Sequence, residues 1–262
     1  RNTTSSRLCW CLGGLGVRRP AQQARRNQRS ITLSVSSPVA GWNARDPLAE
    51  MKDKDAVILD NFFCTPYDVQ LRYGYSQWAT GLGSHVQTLA SYSPTSGTQE
   101  LYAVAGTSIF DASASGAVGA AVVSGLTNAK FQYINYGTAG GNFLLMVNGA
   151  DKLQGYNGTA WWVDGDGTHD ITGVDTSDII QINAHKSRVW MVEKDSLNAW
   201  YLGTSAIAGA ATKFDFSSIF VEGGYLMAMG TWSLDAGYGM DDYAVFVTSE
   251  GQVAVYKGTD PS

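Results

Sequence analysis

Tyr243-Ala244-Val245-Phe246-Val247, a turn at Thr248-Ser249-Glu250-Gly251, and Val253-Ala254-Val255-Tyr256-Lys257-Gly258 decide the fold of this chain. Short apolar runs with period-two alternation on either side of a Gly-bearing turn read as a β-hairpin. Two earlier stretches repeat it: residues 143–147 turning into 153–156, and residues 188–192 turning into 199–201. Aligned on their turns, the three share the pattern V-x8-Y-x-G. Its members are Val147, Tyr156 and Gly158, then Val192, Tyr201 and Gly203, then Val247, Tyr256 and Gly258. A shorter hairpin, residues 101–104 into 108–110, precedes them. The expectation is that the three tyrosines hold equivalent places on successive sheets.

The equivalent valines, counted from Val104, lie 43, 45 and 55 residues apart, the period of a propeller blade and longer than that of a solenoid coil. Ahead of each hairpin runs another candidate strand, at residues 86–90, 131–135, 179–183 and 225–229. Three or four strands per unit in a meander describe a blade. The fold class is therefore all-β, with propeller-like repeats of short antiparallel meanders. A Greek-key sandwich also has short strands but no reason to repeat one register. Four units are few for closure, so the ring is expected to be incomplete within this chain, with further residues or neighbouring subunits supplying the remaining packing.

Working outward, three segments separate: a basic extension over residues 1–37, an N-terminal clamp segment over 38–85, and the repeats over 86–262. Seven arginines (Arg1, Arg7, Arg18, Arg19, Arg25, Arg26, Arg29) and no acid fall in residues 1–30, giving +7; the rest, with 11 basic and 23 acidic residues, stands at −12. The head reads as an extension outside the main fold, ahead of a nucleic-acid arm or a targeting peptide. Cys9, Cys11 and Cys64 cannot all pair within one chain, which fits a reducing compartment. A charged fraction of 16% with 30 glycines argues against a coiled coil or a histone-like binder. No run of 18 apolar residues exists to span a membrane as a helix. Asp46-Pro47-Leu48-Ala49-Glu50-Met51-Lys52 is a candidate for one or two helical turns, with Asp46 as N-cap and Pro47 at N1. In the clamp segment, Trp42, Phe62, Phe63 and Tyr67 are the candidate interface residues, grasping a propeller rim or a neighbouring subunit.

Chemistry is sparse. His85, His169 and His185 lie in separate segments without a nucleophile, zinc or phosphate-loop motif around them, so neither an enzyme nor a cofactor is expected. Asp164-Gly165-Asp166-Gly167-Thr168-His169-Asp170 reads as a solvated turn, with Ca²⁺ as the sharper alternative. Asn157-Gly158-Thr159 reads as turn chemistry. Trp161, Trp162, Trp190, Trp200 and Trp232 read as packing residues rather than a sugar platform.

Two stretches carry a resemblance. Gly41-Trp42-Asn43-Ala44-Arg45-Asp46-Pro47-Leu48, followed by residues 56–75 with Asp60-Asn61-Phe62-Phe63-Cys64-Thr65-Pro66-Tyr67-Asp68-Val69-Gln70-Leu71-Arg72-Tyr73-Gly74-Tyr75, resembles the opening of tailed-bacteriophage virion proteins, where N-x-[FY] leads through a Pro-containing loop to a V-x-[LV]-R-x-G strand. Residues 122–129, 147–151 and 247–251 are similar to the same group, the tail nozzle or tail tubular protein B (packaged-DNA stabilisation) family. The resemblance covers residues 41–262; the basic head has no counterpart, and such proteins are usually longer. It implies a propeller-bearing structural subunit of the virion tail, assembled in the host cytoplasm. Six copies would form a ring beside the adaptor and portal, through which DNA passes without sequence specificity or membrane contact. The competing class is a carbohydrate- or receptor-binding propeller.

Overall fold

A computed structural model describes residues 32–235 and 240–258; the basic head, with Cys9 and Cys11, lies outside the described residues. The chain divides into two compact units, Arg1–Tyr75 and Ser76–Ser262.

The first unit has little to bury. β1 (Gly41–Trp42) pairs in parallel with β2 (Asp55–Ala56), and β3 (Phe62–Cys64) pairs antiparallel with β4 (Val69–Leu71). Asn43 organises the first pair: its Nδ2 donates to Asp46 Oδ2 at 3.0 Å and Asp55 Oδ2 at 2.8 Å, and its Oδ1 accepts from the amides of Arg45 and Asp46. The helical turn expected over residues 46–52 is absent. A single turn closes from Glu50 N to Pro47 O at 2.8 Å, because the Asp46 carboxylate is taken up by Arg45 and Asn43 instead of capping the amides ahead of it. Ala56 is the one buried residue among the described residues of this unit.

From Ser76 onward one design recurs. β5 (Ala79–Thr80) leads into β6 (Val86–Tyr92), β7 (Glu100–Ala105), β8 (Ser108–Asp111), β9 (Gly116–Ala117) and β10 (Val123–Ser124). β6, β7, β8 and β10 form sheet 1, an antiparallel meander. Sheet 2 is the meander β11 (Gln132–Thr138), β12 (Gly141–Val147), β13 (Gln154–Tyr156) and β14 (Trp161–Val163). Next come β15 (Ile171–Thr172), a 3₁₀ turn at Thr176–Asp178, β16 (Ile179–His185), β17 (Arg188–Glu193), β18 (Asn198–Tyr201), β19 (Gly209–Ala210) and β20 (Thr212–Asp215). β16, β17, β18 and β20 form sheet 3, while β21 (Leu226–Asp235), β22 (Met240–Thr248) and β23 (Val253–Lys257) form sheet 4. The fold is all-β and propeller-like, and among the described residues no strand pairing closes sheet 4 onto sheet 1.

The sheets stack face to face through three cores. Successive side chains of a strand point to opposite faces, so the second strand of each meander serves two neighbours. On β12, Leu144 and Met146 pack with Tyr92, Tyr102 and Val104 of sheet 1, while Leu145 and Val147 pack with Val189 and Met191 of sheet 3. On β17, Trp190 and Val192 turn instead to Leu226, Ala244 and Phe246 of sheet 4. Val104, Val147 and Val192 thus each face the next sheet, and Val247 occupies the same register on β22.

The tyrosines divide. Tyr156 pairs with Leu144 and Tyr256 with Ala244, so both face the preceding sheet. Tyr201 pairs with Trp190 and faces the following one, which corrects the expected equivalence. The cause is the hairpin loop: Val192 pairs with Ala199, seven positions on, whereas Val247 pairs with Val253, six positions on. A one-residue slip turns every later side chain to the other face. Trp200 takes the inward place instead and packs in the core between sheets 2 and 3.

Two parallel clasps complete the meanders. Ala79 and Thr80 pair with Gly116 and Ala117, and Ile171 and Thr172 pair with Gly209 and Ala210. Each clasp joins the segment entering a sheet to the linker before its last strand. Gly116 and Gly209 hold φ of 110° and 109°, a region open to glycine and costly for other residues, so the same Gly-Ala doublet makes the same bend twice.

Candidate interaction surface

The four candidate interface residues all lie in the first unit and all project into solvent. Trp42 stands on β1, its Nε1 donating to Val57 O at 3.1 Å. Phe62 and Phe63 are adjacent on β3, and Tyr67, 92% exposed, tips the hairpin. Thr65 shapes that tip: its amide donates to Asp68 O at 2.9 Å, its hydroxyl donates to the Asp68 carboxylate, and its oxygen accepts from Asp68 N at 3.0 Å. The Thr65 hydroxyl, with the Gln70 amide behind it, holds the Asp68 carboxyl below its ordinary range.

The four do not form one patch. Phe62 pairs with Leu71 and Phe63 with Gln70, which sets the two phenylalanines on opposite faces of a two-stranded ribbon. Phe62, Val69 and Pro38 wall one shallow depression; Trp42 and Val57 wall another, and Ile58 and Leu59 border both. Leu71, Tyr73 and Tyr75 are exposed as well. The Cys64 thiol donates to Pro38 O at 3.2 Å and is free.

Within the second unit, the first strands of the sheets are stitched to their neighbours by uncharged polar side chains. Asn135 Nδ2 donates to Ser91 O at 2.8 Å, and Gln181 Nε2 and Asn183 Nδ2 donate to Met229 O at 3.0 and 3.1 Å. Thr88 Oγ1 donates to Ala129 O and accepts from Phe131 N. Neither the clasps nor this stitching is marked by the periodicity of the sequence.

The remaining candidates resolve into structure. Asp164 is buried, accepting from Ile171 N at 2.7 Å and Thr176 Oγ1 at 2.6 Å. Asp166 accepts from Thr168 N, His169 N and His169 Nδ1, and these contacts, the His169 ring first, lower its pKa to about 2. Asp170 accepts from Gly167 N. These carboxylates serve their own turn, and among the described residues no group of three or more His, Cys, Asp or Glu is placed to hold a metal. His169 stacks on Trp162 at 4.3 Å, and His185 is buried at the end of β16 with Nδ1 3.1 Å from Thr231 Oγ1. Gly158 sits in a turn closed by Asn157 Oδ1, which accepts from Thr159 N and Ala160 N at 2.9 Å each. Trp161, Trp162, Trp190 and Trp200 pack between sheets, whereas Trp232 is exposed.

Neither known protein-family models nor characterised protein sequences match this chain.

Proposed function

We propose that the chain is a structural subunit of a bacteriophage tail, of the nozzle type, that assembles into a ring around the path of DNA. The observation that carries this reading is the first unit: one buried alanine beside ten large exposed apolar side chains between Trp42 and Tyr75. A segment with so little core of its own, presenting that many apolar side chains to solvent, is made to be held by another surface. The resemblance of residues 41–75 to phage virion proteins names the assembly. The packing of Trp161, Trp162, Trp190 and Trp200 between sheets takes from the carbohydrate-binding alternative most of the aromatic platform it requires.

Charge is consistent with a conduit. With +7 in residues 1–30 and −12 in the rest, DNA contact would be confined to the head and would weaken as salt rises. Negative-stain imaging of the purified full chain tests the ring: particles with a central hole and six-fold symmetry are expected, and a uniform monomer overturns it. Deleting residues 1–30 tests the conduit, since tight, salt-resistant DNA binding by the truncated protein would overturn it.

A further inference from the structure

The sequence holds two Asn-Gly steps, Asn148-Gly149 and Asn157-Gly158, and the fold gives both the same turn. In each, the side-chain oxygen accepts from the amides two and three residues on. Asn148 Oδ1 accepts from Ala150 N at 3.1 Å and Asp151 N at 2.8 Å, and Asn157 Oδ1 from Thr159 N and Ala160 N at 2.9 Å each. Among the described residues, neither glycine amide donates to an acceptor. An unbonded glycine amide beside an asparagine is a nucleophile within reach of that side chain's Cγ, with no Cβ of its own to shield it. The two amides on Oδ1 stand where negative charge develops when Cγ is attacked, as donors do in an oxyanion hole.

The two steps differ in the group that must leave. Asn148 is half-buried, and its Nδ2 donates to Asp151 Oδ2 at 2.7 Å and to Asn128 O at 3.3 Å. The Gly149 carbonyl accepts from Lys194 Nζ at 3.4 Å, so the peptide on the far side of the reacting bond is held as well. Asn157 is exposed in the loop between β13 and β14, and among the described residues its Nδ2 has no acceptor. The same local sequence thus carries an amide group tied down at one step and open to water at the other.

We propose that Asn157-Gly158 is a self-modifying site at which the folded chain converts asparagine to isoaspartate, with water as the co-reactant, while Asn148-Gly149 stays intact. Gly158 N attacks Asn157 Cγ and forms a new N–Cγ bond, closing a succinimide. The Cγ–Nδ2 bond breaks, and the nitrogen leaves as ammonia with the proton given up by Gly158 N. Water then opens the ring. Attack at the Asn157 main-chain carbonyl breaks its bond to Gly158 N and leaves the chain running through Cβ and Cγ, which is isoaspartate; attack at Cγ gives aspartate. Either product puts a carboxylate where a neutral amide stood. A Cβ added at Gly158 would lie 2.6 Å from Tyr92 Oη, and the Tyr92 ring packs edge-on to Tyr156 with centroids 5.1 Å apart. Lengthening the main chain at that contact displaces the turn or Tyr92 and so loosens the core between sheets 1 and 2. This inference rests on the turn and not on the phage reading.

The test ages the purified full chain in mildly alkaline buffer, folded and in urea. Both steps are followed by peptide mass mapping, with methylation by an isoaspartyl methyltransferase as a second readout. In urea the two steps should react alike. In the folded chain Asn157 should react roughly tenfold or more faster than Asn148, the worth of the hydrogen bond that ties the Asn148 amide to a carboxylate. Asn157→Gln, at an exposed turn position, should lose the isoaspartate signal. The urea midpoint of the wild type should fall on ageing, and that of Asn157→Gln should hold. Equal rates at the two steps in the folded chain, a faster Asn148, protection of both steps by folding, or an isoaspartate signal that persists in Asn157→Gln would each overturn the proposal. A wild-type midpoint that holds while the mass map shows isoaspartate would overturn the loosening of the core.

Discussion

Phe246 and Phe63 both stand on strands beside apolar neighbours, Val245 and Val247 for the first and Phe62 for the second, yet Phe246 is sealed and Phe63 is 60% exposed. The strand around Phe246 belongs to a meander stacked on another meander, so its inward face meets Trp190 and Phe216 with ring centroids 5.7 and 4.4 Å away. The strand around Phe63 belongs to a two-stranded ribbon, in a unit where Ala56 is the one buried residue among those described. Two strands alone are marginal in water. Burial in this protein comes from stacking repeated sheets, and strand composition alone does not supply it.

Four measurements break or sharpen that comparison. The largest effect is expected for Phe246→Ala, which opens a cavity in the core between sheets 3 and 4 and should cost about 3–5 kcal/mol in urea denaturation; a cost comparable to a surface change would mean that the stack is loose. Next comes Gly155→Ala on β13. An added Cβ would lie 2.1 Å from the Trp162 ring, and the crowding should cost roughly 1–3 kcal/mol and alter the tryptophan fluorescence.

A smaller, pH-dependent effect is expected at His185. Burial chiefly, and Lys186 second, lower its pKa, while Asp242 pulls the other way. The unfolded chain therefore binds a proton more readily, and stability that is complete above about pH 6.5 declines as pH falls through that value. Denaturation curves at several pH values should show the decline in the wild type and lose it in His185→Gln. The smallest effect is expected for Phe63→Ala, within about 0.5 kcal/mol for the isolated chain; a larger loss would show that the first unit has a core of its own.

The valine register was legible in the sequence because apolar alternation fixes which side chains face a neighbouring sheet, and Val104, Val147, Val192 and Val247 carry it in all four meanders. Tyr201 was not legible: its distance from Val192 matches the other copies, and the additional loop residue that turns it over leaves no mark in the spacing. The clasps were hidden for another reason. Two-residue parallel pairs have no periodicity, and their partners are separated by most of a sheet, so Gly116-Ala117 and Gly209-Ala210 look like ordinary turns until Ala79-Thr80 and Ile171-Thr172 are seen beside them. In the first unit, Asp46 and Pro47 have the composition of a helix start, but a neighbouring Asn43 and Arg45 compete for the carboxylate. Trp42, Phe62, Phe63 and Tyr67 stand out in the sequence as candidate interface residues; their exposure is a finding of the structure, and the division of Phe62 from Phe63 follows from adjacency on one strand.

The clasps also bear on where this chain tolerates a break. Each brings the start of a meander alongside its later linker, so sheets 1 and 3 are loops gathered at the neck. A nick in an exposed hairpin loop, such as the turn between β6 and β7, would leave both fragments anchored at the same neck. Sheets 2 and 4 have no clasp among the described residues, and after such a nick they depend on the stack itself to keep their first and last strands in place.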